Sequence, residues 1–225
     1  MLSYLIFMLP ALLISIYAQM KVKSTFNHFS HVRSRRGTTG AEVANVLLRR
    51  AGISSTVGID AIPGSLTDHY DPRSKRVRLS QDVYNNTSIA AIGVAAHEVG
   101  HAIQHAQHYG PLELRHTLVP VTNFASSLAF PVIIIGAFLY NINLIMVGII
   151  LFSAVVLFHL VTLPVELNAS RRAIAELSAA GLVSMEEVPM VKKVLGAAAL
   201  TYLAAALAAV ANLLYYLMIF SGGDD

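Results

Sequence analysis

The chain lacks cysteine and carries little charge for its length. None of its 225 residues is cysteine, which excludes a disulfide framework, a thiolate metal site and a cysteine nucleophile. Charged residues make up only 13% of the sequence and hydrophobic residues 55%, whereas a typical globular domain is roughly 25% charged. Disordered chains and soluble coiled coils need more polar or more periodic sequences. The composition therefore indicates an integral membrane protein.

Four apolar stretches are long enough to cross a bilayer, which takes about 20 residues. The first covers residues 1–20, the second and third form a hairpin at 118–163, and the fourth covers 194–220. Pro131 predicts a kink in the second span, and Pro164 is expected to end the third. Polar segments at 21–117 and 164–193 and a tail at 221–225 make up the rest.

The basic residues predict the orientation of the chain. Twelve of the 16 Lys and Arg residues lie in the segment 21–117 and four in the segment 164–193, and the turn within the hairpin has none. The positive-inside rule places such segments in the cytoplasm. Lys21 and Lys23, which directly follow the first span, are the strongest indicators. We expect both termini to lie outside.

The first polar segment has the signals of a small α+β domain. Thr39 and Glu42 match a capping box that opens a helix ending before Gly52. In the second polar segment, Ser184 and Glu187 match another capping box, which is expected to open the helix of the fourth span. Short strands are predicted at 56–60, 66–70 and 75–79. The expected fold class is therefore mainly α and integral to the membrane, with four transmembrane helices and a small α+β cytoplasmic domain.

A helix predicted at 89–108, with Ser88 as its N-cap, carries the sequence His97-Glu-Val-Gly-His101. Because the two histidines are four residues apart, both imidazoles leave one helix face and can bind one Zn²⁺. Glu98 lies beside them, where it can activate a zinc-bound water. An incidental polar patch is the other interpretation, but a lone carboxylate among Ala, Val and Gly is costly without a function.

A catalytic zinc needs a third protein ligand and one open position. Glu166 is the preferred ligand because it follows the third span, at the start of a helix predicted at 165–180. His105 and His108 lie too far along the helix axis to share one metal with His101. Three other acids lie where an ordinary solvated charge is expected: Glu176, Glu186 and Glu187. Glu113 is too near the motif helix in sequence to be preferred as a ligand.

The chain resembles the YugP family of bacterial membrane zinc metallopeptidases over nearly its whole length. The resemblance rests on the segments Leu66-Thr-Asp-His-Tyr-Asp-Pro72, Val77-Arg-Leu-Ser80, Ala95-Ala-His-Glu-Val-Gly-His-Ala-Ile-Gln104 and Leu163-Pro-Val-Glu-Leu-Asn-Ala-Ser170. More distantly, the chain is similar to HtpX-like and CAAX-type gluzincin proteases, which pair His-Glu-x-x-His with a downstream Glu-x-x-Ala-Asp whose Glu is the third zinc ligand. Glu166 and Ala169 match that pattern, and Ser170 replaces the Asp.

The resemblance implies a zincin-like cytoplasmic domain in a multi-pass protein of the bacterial inner (plasma) membrane. It also implies that the strand near Leu66–Tyr70 runs beside the cleft and pairs with an extended substrate. His69 or Tyr70 would then donate to the oxyanion of the tetrahedral intermediate. The alternative is that these residues form only a polar hairpin before the turn at Pro72.

These patterns predict a zinc-dependent endopeptidase that cleaves membrane or unfolded proteins at the cytoplasmic membrane face, using one Zn²⁺. The expected partners are a protein or peptide substrate and the lipid bilayer, with a membrane-protein partner or a homo-oligomer left open. Nucleic acid is not expected, because no aromatic residues are interleaved with the basic cluster at 33–36.

A non-proteolytic zinc-binding scaffold or assembly partner is the alternative function. Its zinc would have four protein ligands, the fourth being His69, His105 or His108. Metal transport is less favoured, because His159 stands alone in the apolar spans.

Overall fold

The computed structural model describes residues 2–221, so Met1 and most of the predicted tail, residues 222–225, lie outside it. The described chain is mainly helical with one small sheet. In order its elements are α1 (Leu2–Ser30), α2 (Gly40–Arg50), β1 (Gly58–Ile62), β2 (His69–Asp71), β3 (Arg76–Ser80), α3 (Gln81–Tyr84), α4 (Ile89–Ala106), α5 (Gly110–Phe138), α6 (Ile142–Ala179) and α7 (Val188–Ser221).

Four of these helices are long and apolar enough to cross a membrane. Within residues 2–221 the candidate spans are Ile6–Ser30, Gly110–Phe138, Ile142–Ala179 and Val188–Phe220. The four spans predicted from the apolar stretches are therefore confirmed as helices. Each helix also includes polar residues that lie next to the apolar stretch from which it was predicted.

Proline does not end the helix of the third span, and the prediction of a helix end at Pro164 is wrong. Helix α6 runs through Pro164 to Ala179. A proline inside a helix removes one backbone hydrogen bond and costs about 3 kcal/mol, but buried residues hold this helix on both sides of it, Val156 before and Val165 after. Glu166 therefore lies inside a continuous helix rather than at the start of a new one.

The chain forms two compact units. One comprises the described residues of Met1–Gln19, Gly110–Pro164 and Thr201–Asp225. Within it, a Cβ added at Gly148 would come within 2.4 Å of Ile133 and one at Gly136 within 2.8 Å of the Ile145 backbone. These glycines let α5 and α6 approach closely, as small residues do in membrane helix pairs.

The other unit comprises Met20–Tyr109 and Val165–Leu200. Its core is built around α4, whose buried residues include Ile92 and Val99. Leu47 of α2, Leu79 of β3 and Leu177 of α6 are fully buried in the same core. The unit thus surrounds the motif helix on several sides with apolar side chains.

The three strands form one sheet in the order β1-β3-β2. Strand β1 pairs parallel with β3, and β2 pairs antiparallel with it. The three predicted strands exist, but the predicted strand at 66–70 is wrong over its first half. Leu66 has a positive φ of 57°, and the Asp68 carboxylate accepts hydrogen bonds from the backbone N–H and hydroxyl of Ser80, so the chain joins the ladder only at His69.

The capping box at Thr39 is confirmed: Thr39 Oγ1 accepts from the Glu42 N–H, and the Glu42 carboxylate accepts from the Thr39 N–H. The second box does not start a helix at Ser184, since α7 begins at Val188. The Glu187 carboxylate accepts from the Ser184 N–H and also from the Arg35 N–H, both at 2.7 Å. It therefore ties the turn before α7 to the loop after α1.

Candidate metal centre

Helix α4 presents the His97-Glu-Val-Gly-His101 motif from the interior of its unit. Ser88 Oγ accepts from the Ala91 N–H at 3.2 Å, which confirms the predicted N-cap. The helix ends at Ala106, two residues before its predicted end. His108, the predicted last residue, has a positive φ of 52° and is therefore not helical. His101 and Glu98 are buried and His97 is half-buried.

Three side chains meet at one point. His97 Nε2 lies 3.2 Å from Glu166 Oε2, and His101 Nε2 lies 3.4 Å from the same oxygen. Glu166 is only 2% exposed. The structure therefore brings together the three residues that the sequence predicted as metal ligands, one of them 65 positions further along the chain than His101.

The donor atoms suit a zinc ion. One ligand atom from each of His97, His101 and Glu166 lies within 4.8 Å of the others. Two imidazole nitrogens and a carboxylate oxygen form a common set for catalytic zinc, which keeps a fourth position open. Among residues 2–221 this is the one group of three or more such side chains close enough to hold a metal.

Gln104 fixes the orientation and tautomer of His101. Its Nε2 donates to the backbone oxygen of Val165 and to Asn168 Oδ1, each at 2.9 Å. The Arg172 Nε–H donates to the same Asn168 atom at 2.7 Å, so this atom is the amide oxygen of Asn168 and not its nitrogen. Gln104 Oε1 must then face His101 Nδ1, 3.0 Å away, so Nδ1 carries the proton and Nε2 is left as the free ligand atom.

Ser170 has the corresponding place beside His97. Its Oγ lies 3.2 Å from His97 Nδ1, where the hydroxyl oxygen can accept the Nδ1 proton. Ser170 replaces the Asp of the more distant protease pattern, and the hydroxyl occupies the orienting position that a carboxylate would fill. Both histidines are therefore held with Nε2 towards Glu166.

Gly100 lets α6 approach the motif helix. A Cβ added at this residue would lie 2.7 Å from the backbone oxygen of Ala169 and 3.2 Å from its carbonyl carbon. Ala169 is itself fully buried. The glycine within the motif and the alanine three residues after Glu166 thus set the separation of the two helices that carry the donor atoms.

Glu98 lies beside the donor group in an enclosed position. It is 7% exposed, and burial raises the pKa of its carboxyl group to about 7. The backbone N–H of Tyr70 is near enough to lower this pKa somewhat, and the charge of Asp68 adds to the rise. The edge strand β2 therefore passes next to the predicted general base.

The two residues predicted as oxyanion donors have different surroundings. The Tyr70 hydroxyl lies 2.8 Å from His105 Nδ1, and burial raises the pKa of Tyr70 to about 12. His69 is exposed, and its Nδ1 is 2.8 Å from the backbone oxygen of Thr67. Neither belongs to the group of donor atoms, and their role in catalysis stays a prediction.

The other acids have identifiable places. Glu187 is buried and engaged with backbone N–H groups, Glu186 pairs with Arg35, and Glu176 lies 3.8 Å from Arg50. Glu113 lies in the first turn of α5. His108 is exposed at the end of α4. The donor group contains none of these residues.

The family model described as "Putative neutral zinc metallopeptidase" matches residues 4–221. The chain belongs to this zinc metallopeptidase family. It is also 51% identical over 217 residues to the "Putative membrane protease YugP" of Bacillus subtilis (strain 168), covering 96% of each chain. No solved structure matches it. The resemblance to the YugP family is thus confirmed, and so is the expectation of a membrane protein with the features of a zinc metallopeptidase.

Sequence reasoning missed the groups that orient the candidate ligands in this member of the family. Gln104 has a sequence signal, because a glutamine three residues after His101 points to the same helix face within an apolar helix. Ser170 also has a sequence signal, since it stands at the position of the Asp in the Glu-x-x-Ala-Asp pattern of the more distant proteases. The contact between Gly100 and Ala169 depends on which helices pack together, which local spacing does not reveal.

Proposed function

We propose that this protein is a membrane-anchored zinc endopeptidase that hydrolyses peptide bonds of membrane or unfolded proteins. The observation that carries the proposal is the convergence of His97, His101 and Glu166 beside the buried carboxylate of Glu98. Two neutral imidazoles and a carboxylate would hold one zinc ion and leave a position for the reaction. Membership of the metallopeptidase family supports the same chemistry.

When bound, zinc would supply a Lewis acid that acidifies water and polarises the scissile carbonyl. The chain's own residues supply the rest. Gln104 holds His101 in the ligating tautomer, and the Ser170 hydroxyl is placed to accept the Nδ1 proton of His97 in the same tautomer. Glu98 would accept the proton of the attacking water and deliver it to the nitrogen of the departing amine, which splits the peptide bond into an acid and an amine.

The substrate would bind as an extended chain along β2. This strand is an edge of the sheet, and the backbone of its residue Tyr70 lies close enough to Glu98 to lower the pKa of that carboxyl group. An extended peptide pairing with that edge would pass the general base. Unfolded segments near the membrane can adopt this conformation, and the Tyr70 hydroxyl or His69 would donate to the oxyanion.

The geometry favours catalysis over a structural zinc scaffold. A structural zinc site needs four protein ligands, whereas three converge here within the described residues. His69, His105 and His108, the residues considered as a fourth ligand, are not among the side chains close enough to share this metal. The three-ligand group leaves the open position that hydrolysis requires.

We further propose that the segments 21–117 and 164–193 form a zincin-like domain on the cytoplasmic face of a bacterial inner membrane, with both termini outside. The distribution of Lys and Arg supports this orientation. The absence of cysteine allows a clean test with single cysteines. In intact cells a membrane-impermeant maleimide should label Asn141→Cys, at the turn of the hairpin, and not Ser65→Cys; the reverse pattern would contradict the orientation.

The activity is tested with the full-length protein in detergent or nanodiscs, loaded with zinc. Wild type should cleave a casein-type substrate, and Glu98→Gln should be slower by about 10²–10⁴-fold, the contribution of a general base. Zinc content should be unchanged, because Glu98 is not a ligand. Equal rates for the two proteins would refute the proposed role.

Glu186→Gln is the matched control. It makes the same chemical change at an exposed carboxylate that pairs only on the surface, with Arg35, and such pairs contribute little. This variant should retain wild-type zinc content and wild-type cleavage. A comparable loss in the control would mean that the effect of Glu98→Gln is not specific to the site.

A further inference from the structure

A cavity of about 580 Å³ lies between α1 and α7 in the unit that also holds the metal centre. It is separate from the donor group and shares no residue with it. Each helix contributes one face, because the lining residues recur at intervals of three and four. They are Lys21, Ser24, Thr25, His28 and Phe29 of α1 and Lys193, Gly196, Ala197 and Leu200 of α7.

The cavity carries positive charge without a balancing acid. Lys21 and Lys193 line it from different helices, and its lining contains no Asp or Glu. Among residues 2–221, neither lysine forms an ion pair with a carboxylate. Two ammonium groups that face one space favour an anionic ligand placed between them.

The rest of the lining is apolar and leaves room. Ala197 and Leu200 of α7 and Phe29 of α1 contribute apolar surface. A Cβ added at Gly196 would meet nothing within 4 Å, so the cavity is open at this position. The ligand should therefore combine an anionic group with an apolar chain.

Both helices are candidate membrane spans, at Ile6–Ser30 and Val188–Phe220. Lys21 follows the apolar part of α1 and Lys193 precedes that of α7, where side chains meet the headgroup region of a bilayer. We propose that this cavity binds the headgroup of an anionic phospholipid. The phosphate lies between Lys21 and Lys193, and an acyl chain runs against Ala197 and Leu200.

The test measures binding of phosphatidylglycerol to the full-length protein purified in a neutral detergent and stripped of lipid. Phosphatidylcholine and inorganic phosphate serve as competitors. Each basic side chain near an anionic lipid contributes a factor of about five in affinity. The double variant Lys21→Gln/Lys193→Gln should therefore bind phosphatidylglycerol about 30-fold more weakly, and Gly196→Phe should block binding with all charges retained.

The matched control is Lys23→Gln/Lys192→Gln, which removes the neighbouring charges from the same two helices but not from the cavity lining. It should leave the affinity close to that of wild type, because neither side chain lines the cavity. An equal loss in both double variants would show only general surface attraction and would overturn the site. Unchanged binding of phosphatidylglycerol to Lys21→Gln/Lys193→Gln would overturn the site as well. If inorganic phosphate displaces the bound lipid as effectively as phosphatidylglycerol does, the cavity is a free-anion site and the lipid proposal is wrong.

Discussion

Replacing Gly100 by alanine would force α4 and α6 apart at the level of the metal-ligating side chains. The added Cβ would lie 2.7 Å from the Ala169 backbone oxygen, and its other close neighbours are also backbone atoms of Ala169. No side chain can turn away to relieve this contact. An ordinary van der Waals separation requires one helix to move by about 0.7 Å.

That movement is large compared with the tolerance of the site. Glu166 lies one turn before Ala169 on α6, and zinc–ligand distances hold within about 0.2 Å. We expect Gly100→Ala to weaken zinc binding by about 10–100-fold, the range seen when ligand positioning is disturbed. Overpacking should also cost about 1–3 kcal/mol of stability, reduced by the gain of about 0.5–1 kcal/mol from replacing a helical glycine with alanine.

Gly93→Ala on the same helix is the control. Its Cβ would lie 3.4 Å from a methyl group of Val191, so it should show mainly the helix-propensity gain. Zinc affinity is measured by competition with a chelator, and stability as Tm of the metal-free proteins. If Gly100→Ala binds zinc as tightly as Gly93→Ala and melts at the same temperature, the account of helix separation is wrong.

Three further predictions concern the groups around the site and the unit that holds it. Gln104→Leu should weaken zinc binding about 10–100-fold, because it removes the acceptor that fixes His101; chelator competition measures this, and unchanged affinity would contradict the orienting role. Ser170→Ala should also weaken zinc binding, whereas Ser170→Asp should restore or strengthen it, since a carboxylate is a stronger acceptor for the His97 Nδ1 proton; equal affinities for the Ala and Asp variants would refute this. Burial by itself would raise the pKa of Glu187, but hydrogen bonds from backbone N–H groups lower it below its usual 4.5, so its stabilisation is present above that pH and is lost as the pH falls. Glu187→Gln should therefore cost about 1–3 kcal/mol at neutral pH and less in acid, as measured by denaturant unfolding, and a cost that does not change with pH would contradict the assignment.

Local rules were enough to predict the motif helix and the shared face of its two histidines. The spacing of His97 and His101 puts both rings on one face whatever surrounds the helix, and Ser88 and Thr39 act as caps because capping depends on the next three residues. Long apolar stretches likewise become helices because a bilayer leaves few alternatives. These features need no knowledge of distant contacts.

The remaining features depend on tertiary contacts. Helix α6 continues through Pro164, with buried residues on both sides of the proline. The turn before α7 replaces the predicted start at Ser184 because Glu187 is engaged by Arg35, more than 150 residues earlier. Gln104 and Ser170 could be assigned roles only after α4 and α6 were seen to pack together.

The central claim is that two imidazoles and one carboxylate hold a single zinc with an open position. X-ray absorption spectroscopy of the zinc-loaded full-length protein tests it most directly, together with metal counting on wild type and Glu166→Gln. We predict one zinc per chain, two imidazole ligands with the remaining ligands oxygen, and a marked loss of zinc in Glu166→Gln. Three or more imidazoles, or undiminished zinc in Glu166→Gln, would contradict the claim.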